Sequence, residues 1–106
     1  MDAEHVIVMS TTDSEQAAQQ LAAGAVRERL AACAQIVGPI TSVFRWEGDV
    51  QTEAEWRLEF KTAADRSEAL RSYIIEHHGY DVPEVVVVPV TAGSPEYLTW
   101  VRDETR

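Results

Sequence analysis

The amino-acid sequence predicts an α+β sandwich, in which helices cover an antiparallel sheet. Two observations lead to this class. Segments with strand-like and helix-like patterns follow one another in the order strand, helix, strand, strand, helix, strand, helix. The two central strands are also long and adjacent, which indicates a β-hairpin. We assign residues 1–106 to one domain, because domains usually contain roughly 100–150 residues.

The first strand and the first helix are indicated by hydrophobic spacing and by a capping pattern. Residues 6–9 (VIVM) are typical of a buried strand. Thr12 with Glu15 three residues later forms a capping box, which predicts that a helix starts there. The apolar stripe of this helix comprises Ala18, Leu21, Ala22, Ala25, Val26 and Leu30. Gly24 weakens the helix by roughly 1 kcal/mol relative to Ala, or it permits the close approach of a neighbour.

Residues 35–61 predict the hairpin, with residues 47–49 (EGD) as a three-residue loop. In that register Trp46 faces Val50, and the large aromatic side chains of both strands share one face. The opposite face carries Arg45, Gln51, Glu53, Glu55, Arg57, Glu59 and Lys61. Such a division favours a half-buried antiparallel ribbon, because a slip of one residue would reverse it. The pair Gly-Pro at residues 38–39 predicts a bend or bulge that can shift the register below it.

The second half of the chain predicts a helix, a strand and a final helix. Asp65 with Glu68 forms a second capping box, and Gly79 is a typical C-terminal cap. The stripe between them contains Leu70, Tyr73, Ile74 and His77. Residues 84–90 are rich in valine, which is typical of a strand buried on both faces, and residues 94–95 (SP) begin the last helix. The order therefore predicts a ferredoxin-like sandwich, two split βαβ units with a long central hairpin and a C-terminal helix.

The length of the hairpin predicts a second subunit. Each of its strands has about a dozen residues and would reach ~40 Å, whereas a compact domain of this size has a radius of gyration of ~13 Å. The hairpin should therefore overhang its own core. An exposed apolar ribbon is an aggregation hazard unless another chain covers it. We expect a homo-oligomer with Phe44, Trp46 and Trp56 in its interface.

Composition excludes several classes of protein. Asp and Glu number 18 against 9 Lys and Arg, and the net charge of −9 repels phosphate backbones, so we expect no nucleic-acid partner. No segment approaches the ~20 apolar residues of a membrane helix, and the N-terminus lacks a signal-peptide pattern. Cys33 is the only cysteine and cannot form an intrachain disulfide. The absence of an intrachain disulfide fits a reducing compartment, so we expect a cytoplasmic protein without membrane partners.

Several motifs follow one another along nearly the whole chain. They are residues 6–12 (VIVMSTT), 30–36 (LAACAQI), 41–48 (TSVFRWEG), 60–62 (FKT), 78–84 (HGYDVPE) and 97–100 (YLTW). Together they resemble the CutA divalent-cation-tolerance family. The resemblance implies a ferredoxin-like subunit, a tight homotrimer similar in architecture to the PII signalling proteins, and a link to copper and other divalent cations. The chain departs from the family at residues 78–81, where His-Pro-Tyr-Glu is usual and His-Gly-Tyr-Asp stands here.

Cys33 and His78 are the candidate metal ligands. A thiolate at Cys33 would suit Cu(I), although a free cysteine is more often an inert core residue. An imidazole at His78 would suit Cu(II) or Zn, although a histidine at a helix C-terminus is also favoured by the helix dipole. No second cysteine lies near Cys33, and no HxxxH spacing accompanies His78. We expect weak copper binding that needs ligands from more than one subunit.

The sequence lacks the motifs of the common enzyme families, such as G-x-S-x-G and GxGxxG, so we expect no catalytic activity. Three functions stay open. The first is a metal-responsive trimer that binds copper. The second is a PII-like module that binds a nucleotide or small metabolite between subunits, which the short acidic hairpin loop disfavours. The third is a structural trimer whose link to metals is indirect.

Overall fold

The secondary structure follows the predicted order in a computed structural model that describes residues 3–106. The strands are β1 (His5–Thr12), β2 (Cys33–Trp46), β3 (Asp49–Ala63) and β4 (Val86–Val90). The helices are α1 (Glu15–Arg27), α2 (Ser67–His77) and α3 (Pro95–Asp103), with a 3₁₀ turn at Ala64–Arg66 before α2. Met1 and Asp2, which the predicted domain included, lie outside the described residues.

The four strands form one sheet in the order β2-β3-β1-β4, and all neighbours are antiparallel. Helices α1 and α2 cover one face, where Val8 of β1 and Leu58 and Phe60 of β3 are fully buried. Side chains alternate between the faces of a strand, so Ile7 and Met9 point to the other face, which we call the open face. Only one end of that face carries a helix, α3, whose Leu98 carbonyl lies 2.9 Å from His5 Nε2. This arrangement confirms the ferredoxin-like α+β sandwich.

The helix termini differ from the predicted capping boxes. Ser14 caps α1, and its hydroxyl accepts a hydrogen bond from the helix backbone at 3.1 Å. Thr12 cannot cap the helix because it still belongs to β1. Asp65 does not cap α2 and instead binds the guanidinium of Arg106. Helix α2 ends at His77, so Gly79 lies beyond the cap residue. None of the helices within residues 3–106 is long and apolar enough to cross a membrane.

The tip of the hairpin is one residue shorter than predicted. Its loop contains only Glu47 and Gly48, whose φ angles are 51° and 86°. Positive φ at both positions is the signature of a type I′ turn, which matches the twist of the strands. Trp46 therefore pairs with Asp49, and the predicted pairing with Val50 is wrong.

The aromatic residues of the hairpin do not share one face as predicted. At residues 38–39, β2 contains one residue more than β3, which makes a β-bulge. Paired residues of antiparallel strands share a face, so Phe44 and Trp46 lie on the side of Glu55. Trp56 lies on the opposite side, which faces α1 and α2. The predicted division was wrong because the two-residue loop shifts the pairing of Phe44 and Trp46 by one residue, whereas the bulge changes the pairing only of the β2 residues that precede it.

The predicted overhang of the hairpin is present. β1 pairs with β3 only as far as Trp56, so residues 49–55 of β3 and residues 40–46 of β2 continue beyond the four-stranded part. The subunit is correspondingly elongated, with principal extents of 44 × 28 × 22 Å.

β4 is less buried than predicted. It is an edge strand that pairs with β1, and Val86, Val87 and Val88 keep 47%, 40% and 42% of their surface exposed. The prediction of burial on both faces is wrong for the single chain, because the helices leave the open face and the edge of β4 uncovered. A valine-rich edge strand exposed in this way is a surface that proteins usually protect.

Candidate functional site

Cys33 lies at the start of β2, half-buried on the open face. Helix α3 brings Tyr97 next to it, with 3.4 Å between the Tyr97 hydroxyl and Cys33 Sγ. Gln35 Nε2 lies 3.9 Å from the same sulfur, and the ammonium of Lys61 donates to Gln35 Oε1 at 2.9 Å. The hydrogen bond to Cys33, helped by partial burial, raises the pKa of Tyr97 to about 12. Tyr97 is therefore a neutral phenol at physiological pH, and the cluster offers a metal one sulfur and one neutral oxygen.

His78 follows the C-terminus of α2 and ties the next segment of the chain to β1. Its Nε2 lies 2.7 Å from the backbone carbonyl of Thr11, and its Nδ1 lies 3.1 Å from the backbone nitrogen of Tyr80. The amide N–H of Tyr80 can only donate, so Nδ1 accepts and Nε2 carries the proton that it donates to Thr11. Both ring nitrogens are thus occupied, and a metal could bind His78 only after one of these hydrogen bonds opens.

Tyr80 extends the same network to β3. Its hydroxyl donates to Glu55 Oε2 at 2.7 Å. Glu55 is only 8% exposed, which is unusual for a carboxylate unless it has a partner. Burial, followed by the hydrogen bond to Glu55, raises the pKa of Tyr80 well above its usual range. The phenol therefore keeps its proton and remains a donor to Glu55.

One chain does not bring the two candidate ligands together. Cys33 pairs with Lys61, which pairs with Ile7 of β1. His78 contacts Thr11, four residues further along that strand, which corresponds to roughly 13 Å at the usual rise per residue. Within residues 3–106 no group of three or more His, Cys, Asp or Glu side chains is arranged to hold a metal ion. A single subunit therefore supplies separate potential ligands and no complete site.

The three predicted interface residues lie on two sides of the hairpin. Phe44 and Trp46 are 37% and 43% exposed on the overhang, on the same side of the hairpin as Glu55. Trp56 is half-buried on the other side and contacts Gly38 so closely that a side chain there would clash. Other large apolar residues that remain exposed include Val37, Val43, Val50, Val86, Val88 and Trp100.

Sequence reasoning did not find the partners of the candidate ligands. Tyr80 and Tyr97 belong to motifs that carried the family resemblance, so these motifs were the available signal. No such signal pointed to Glu55, because the sequence does not distinguish it from Glu53 on the same strand. Its contact with Tyr80 joins residues 25 positions apart.

The comparisons with known proteins agree with this architecture. The family model for the CutA1 divalent ion tolerance protein matches residues 6–104. The chain is 43% identical over 101 residues to the chloroplastic protein CutA of Arabidopsis thaliana, covering 95% of this chain and 56% of that protein. It is 42% identical over 97 residues to the divalent-cation tolerance protein CutA of Yersinia pestis, covering 92% and 82% respectively.

Solved structures extend the likeness to three dimensions. The crystal structure of CutA from Xylella fastidiosa matches with a TM-score of 0.95 at 34% identity, covering 98% of this chain and all of that one. The chain spans little more than half the length of the plant relatives that it matches. The family match extends over most of the chain and the structural match over its whole fold. The chain therefore belongs to the CutA1 divalent ion tolerance protein family.

Proposed function

We propose that this chain works as a homotrimer in the tolerance of divalent cations and binds copper weakly through ligands from more than one subunit. The observation that carries this proposal is the position of Cys33. Its half-buried sulfur lies on the open face, beside a surface that a second copy of the chain is suited to cover. Family membership supports the tolerance function, and copper binding and the trimer are our additions to it.

Self-association is supported by the apolar surface that a single chain leaves exposed. The overhang presents Phe44 and Trp46, and the opposite end of the sheet presents the valine-rich edge strand β4. These surfaces differ, so a contact between them would be heterologous, and heterologous contacts form closed rings when the rotation between subunits permits. The family resemblance suggests a ring of three subunits.

Copper is the metal that Cys33 would favour. A thiolate is a soft ligand that suits Cu(I), whereas Mg²⁺ and Ca²⁺ prefer oxygen. The neighbouring side chains of Tyr97 and Gln35 add only weak ligands to one sulfur. A second strong ligand would have to come from another subunit. His78 is the other candidate, provided that a metal can displace Tyr80 or Thr11 from its ring.

The test combines sedimentation equilibrium with calorimetric titration of Cu(I), Cu(II) and Zn²⁺. We expect three chain masses at micromolar concentration, and a several-fold loss of copper affinity in Cys33→Ser and in His78→Ala without dissociation of the trimer. His77→Ala is the matched control, because the adjacent exposed histidine bonds only to its own helix in the described structure. A monomer would refute the assembly. Unchanged copper binding in the double variant would refute the ligands.

We further propose that the chain is cytoplasmic and has no enzymatic activity. The family is named for tolerance of divalent ions and not for a reaction. The hydrogen-bonding partners described for Cys33 are a phenol and an amide, and neither can act as the general base that a cysteine nucleophile needs. Titration of the same sample with ATP tests the alternative of a PII-like module. Saturable binding of ATP at micromolar concentration would favour that alternative.

A further inference from the structure

The overhanging part of the hairpin begins at Glu55. β1 ends opposite Trp56, so Glu55 is the first residue of β3 without a β1 neighbour. Across the hairpin it pairs with Ile40, the first residue of β2 after the bulge. The hydrogen-bond ladder between β2 and β3 is weaker at this point, because β1 no longer pairs with β3 and because the bulge interrupts β2. The orientation of the overhang therefore depends on what holds Glu55.

The contact that holds Glu55 comes from the segment between α2 and β4. The Tyr80 hydroxyl donates to its carboxylate at 2.7 Å, and the carboxylate is almost fully buried. Hydrogen bonds to a charged acceptor are shorter and stronger than neutral ones. Loss of the Tyr80 hydroxyl would leave the buried carboxylate of Glu55 with one hydrogen bond fewer. An unsatisfied buried acceptor costs free energy.

Tyr80 is in turn fixed by His78. The backbone N–H of Tyr80 donates to His78 Nδ1, the two rings lie 4.7 Å apart, and His78 Nε2 donates to the carbonyl of Thr11. A continuous chain of hydrogen bonds thus runs from the end of β1, through His78 and Tyr80, to Glu55 at the root of the overhang.

We infer that Tyr80 and Glu55 form a latch that fixes the overhang to the body of the subunit and makes it responsive to the state of His78. The response to metal rests on the proposed function. A metal on Nδ1 must displace the N–H of Tyr80, and a metal on Nε2 must displace the carbonyl of Thr11. Either event loosens the support of Tyr80, so metal binding weakens the latch, and by reciprocity a weaker latch favours metal binding.

The latch itself is tested without metal, by hydrogen–deuterium exchange measured by mass spectrometry. In Tyr80→Phe, we expect the amides of residues 40–43 and 51–54 to exchange about tenfold faster, which corresponds to the loss of one hydrogen bond to a charged group. Glu55→Gln keeps an acceptor and should change these rates less than about threefold. Tyr97→Phe is the matched control. It also removes a phenol hydroxyl, but Tyr97 belongs to α3 and bonds to Cys33, away from the hairpin root.

Dissociation of the oligomer could also speed exchange, so residues of β4 serve as an internal reference. The latch predicts that β4 amides exchange at the parent rate in Tyr80→Phe. Equal exchange in Tyr80→Phe and the parent would overturn the latch, as would equal acceleration of the hairpin in Tyr97→Phe.

The link to His78 has its own readout. Addition of copper should accelerate exchange in the hairpin of the parent. In His78→Ala, which loses the support of Tyr80, exchange should already be faster without metal, and copper should add no further acceleration. Copper that binds by calorimetry but leaves hairpin exchange unchanged overturns the link. Failure of copper to bind at all refutes the proposed function instead, and the comparison of metal-free Tyr80→Phe with the parent still decides the latch.

Discussion

Replacement of Gly24 by alanine separates helix propensity from packing. Alanine should stabilise an α-helix by about 1 kcal/mol relative to glycine. Gly24 is buried in α1, however, and a Cβ atom built on it would clash with the Tyr73 hydroxyl oxygen and lie 3.1 Å from Tyr73 Cζ. The hydroxyl would have to retreat by about 1 Å, and overpacking of this kind usually costs roughly 1–3 kcal/mol. We expect Gly24→Ala to lower the free energy of unfolding by about 1 kcal/mol.

A double-mutant cycle identifies the contact that is responsible. Tyr73→Phe removes the hydroxyl, so the closest ring atom to the new Cβ lies at 3.1 Å, only a few tenths of an ångström inside ordinary contact. Gly24→Ala should then be neutral or slightly stabilising in the Tyr73→Phe background. The interaction free energy between the two substitutions should be about 1–2 kcal/mol.

The assay is urea denaturation of the four proteins at one protein concentration, because association contributes to apparent stability. Gly79→Ala is the matched control, since nothing lies within 4 Å of a Cβ at that position. It should be neutral or stabilise by less than about 1 kcal/mol. The reasoning would be refuted if Gly24→Ala stabilised the parent and did so by the same amount as it stabilised Tyr73→Phe.

Three further predictions concern substitutions of single residues. Trp46→Glu should dissociate the proposed trimer in sedimentation equilibrium, because it would place a charge in the interface that we propose. Ile75→Glu, at an exposed position of α2, should not. A Trp46→Glu trimer would contradict the proposed interface. Ser10 Oγ is buried without a hydrogen-bond partner among residues 3–106, so Ser10→Ala should raise the free energy of unfolding by about 1 kcal/mol in urea titrations, and a decrease would contradict this. The hydrogen bond from Arg106 lowers the pKa of Asp65, so its contribution is present above the unfolded pKa of about 3.9 and is lost as pH falls through the lower folded value. The melting-temperature difference between the parent and Asp65→Asn should therefore be present at neutral pH and shrink as pH falls below about 3.9, and a difference of unchanged size in acid would exclude the ion pair as its source.

The sequence predicted the elements of the fold because their signals are local. Hydrophobic spacing identified the strands and helices, although both capping boxes were misplaced, and the length of the hairpin predicted its overhang. The register could not be predicted in the same way. A loop of two or three residues fits residues 47–49 almost equally well, and the choice reverses the face on which Phe44 and Trp46 lie. Burial of β4 was overestimated because valine-rich strands can be covered by another chain as well as by their own domain.

The candidate site was predictable only in part. Cys33 and His78 were found because thiol and imidazole groups are rare and chemically distinctive. Their surroundings depend on contacts between distant segments, such as Cys33 with Tyr97 or Tyr80 with Glu55. Residue type alone could not show that both nitrogens of His78 are engaged by backbone groups. That engagement changes the chemistry expected of the residue.

The single extra residue in β2 at residues 38–39 also has an evolutionary consequence. Deletion of one residue there would restore an uninterrupted ladder and leave Phe44 paired with Gln51, because the two-residue loop sets the register of the overhang. A loop that paired Trp46 with Val50 would instead turn Phe44 and Trp46 to the side of Trp56. In this hairpin a change of the pairing at the loop could therefore exchange the surface offered to a neighbouring molecule without any substitution of the aromatic residues, whereas a change of length at the bulge would not. The bulge can thus lose its extra residue in the course of evolution while the overhang keeps the same face towards a neighbouring molecule.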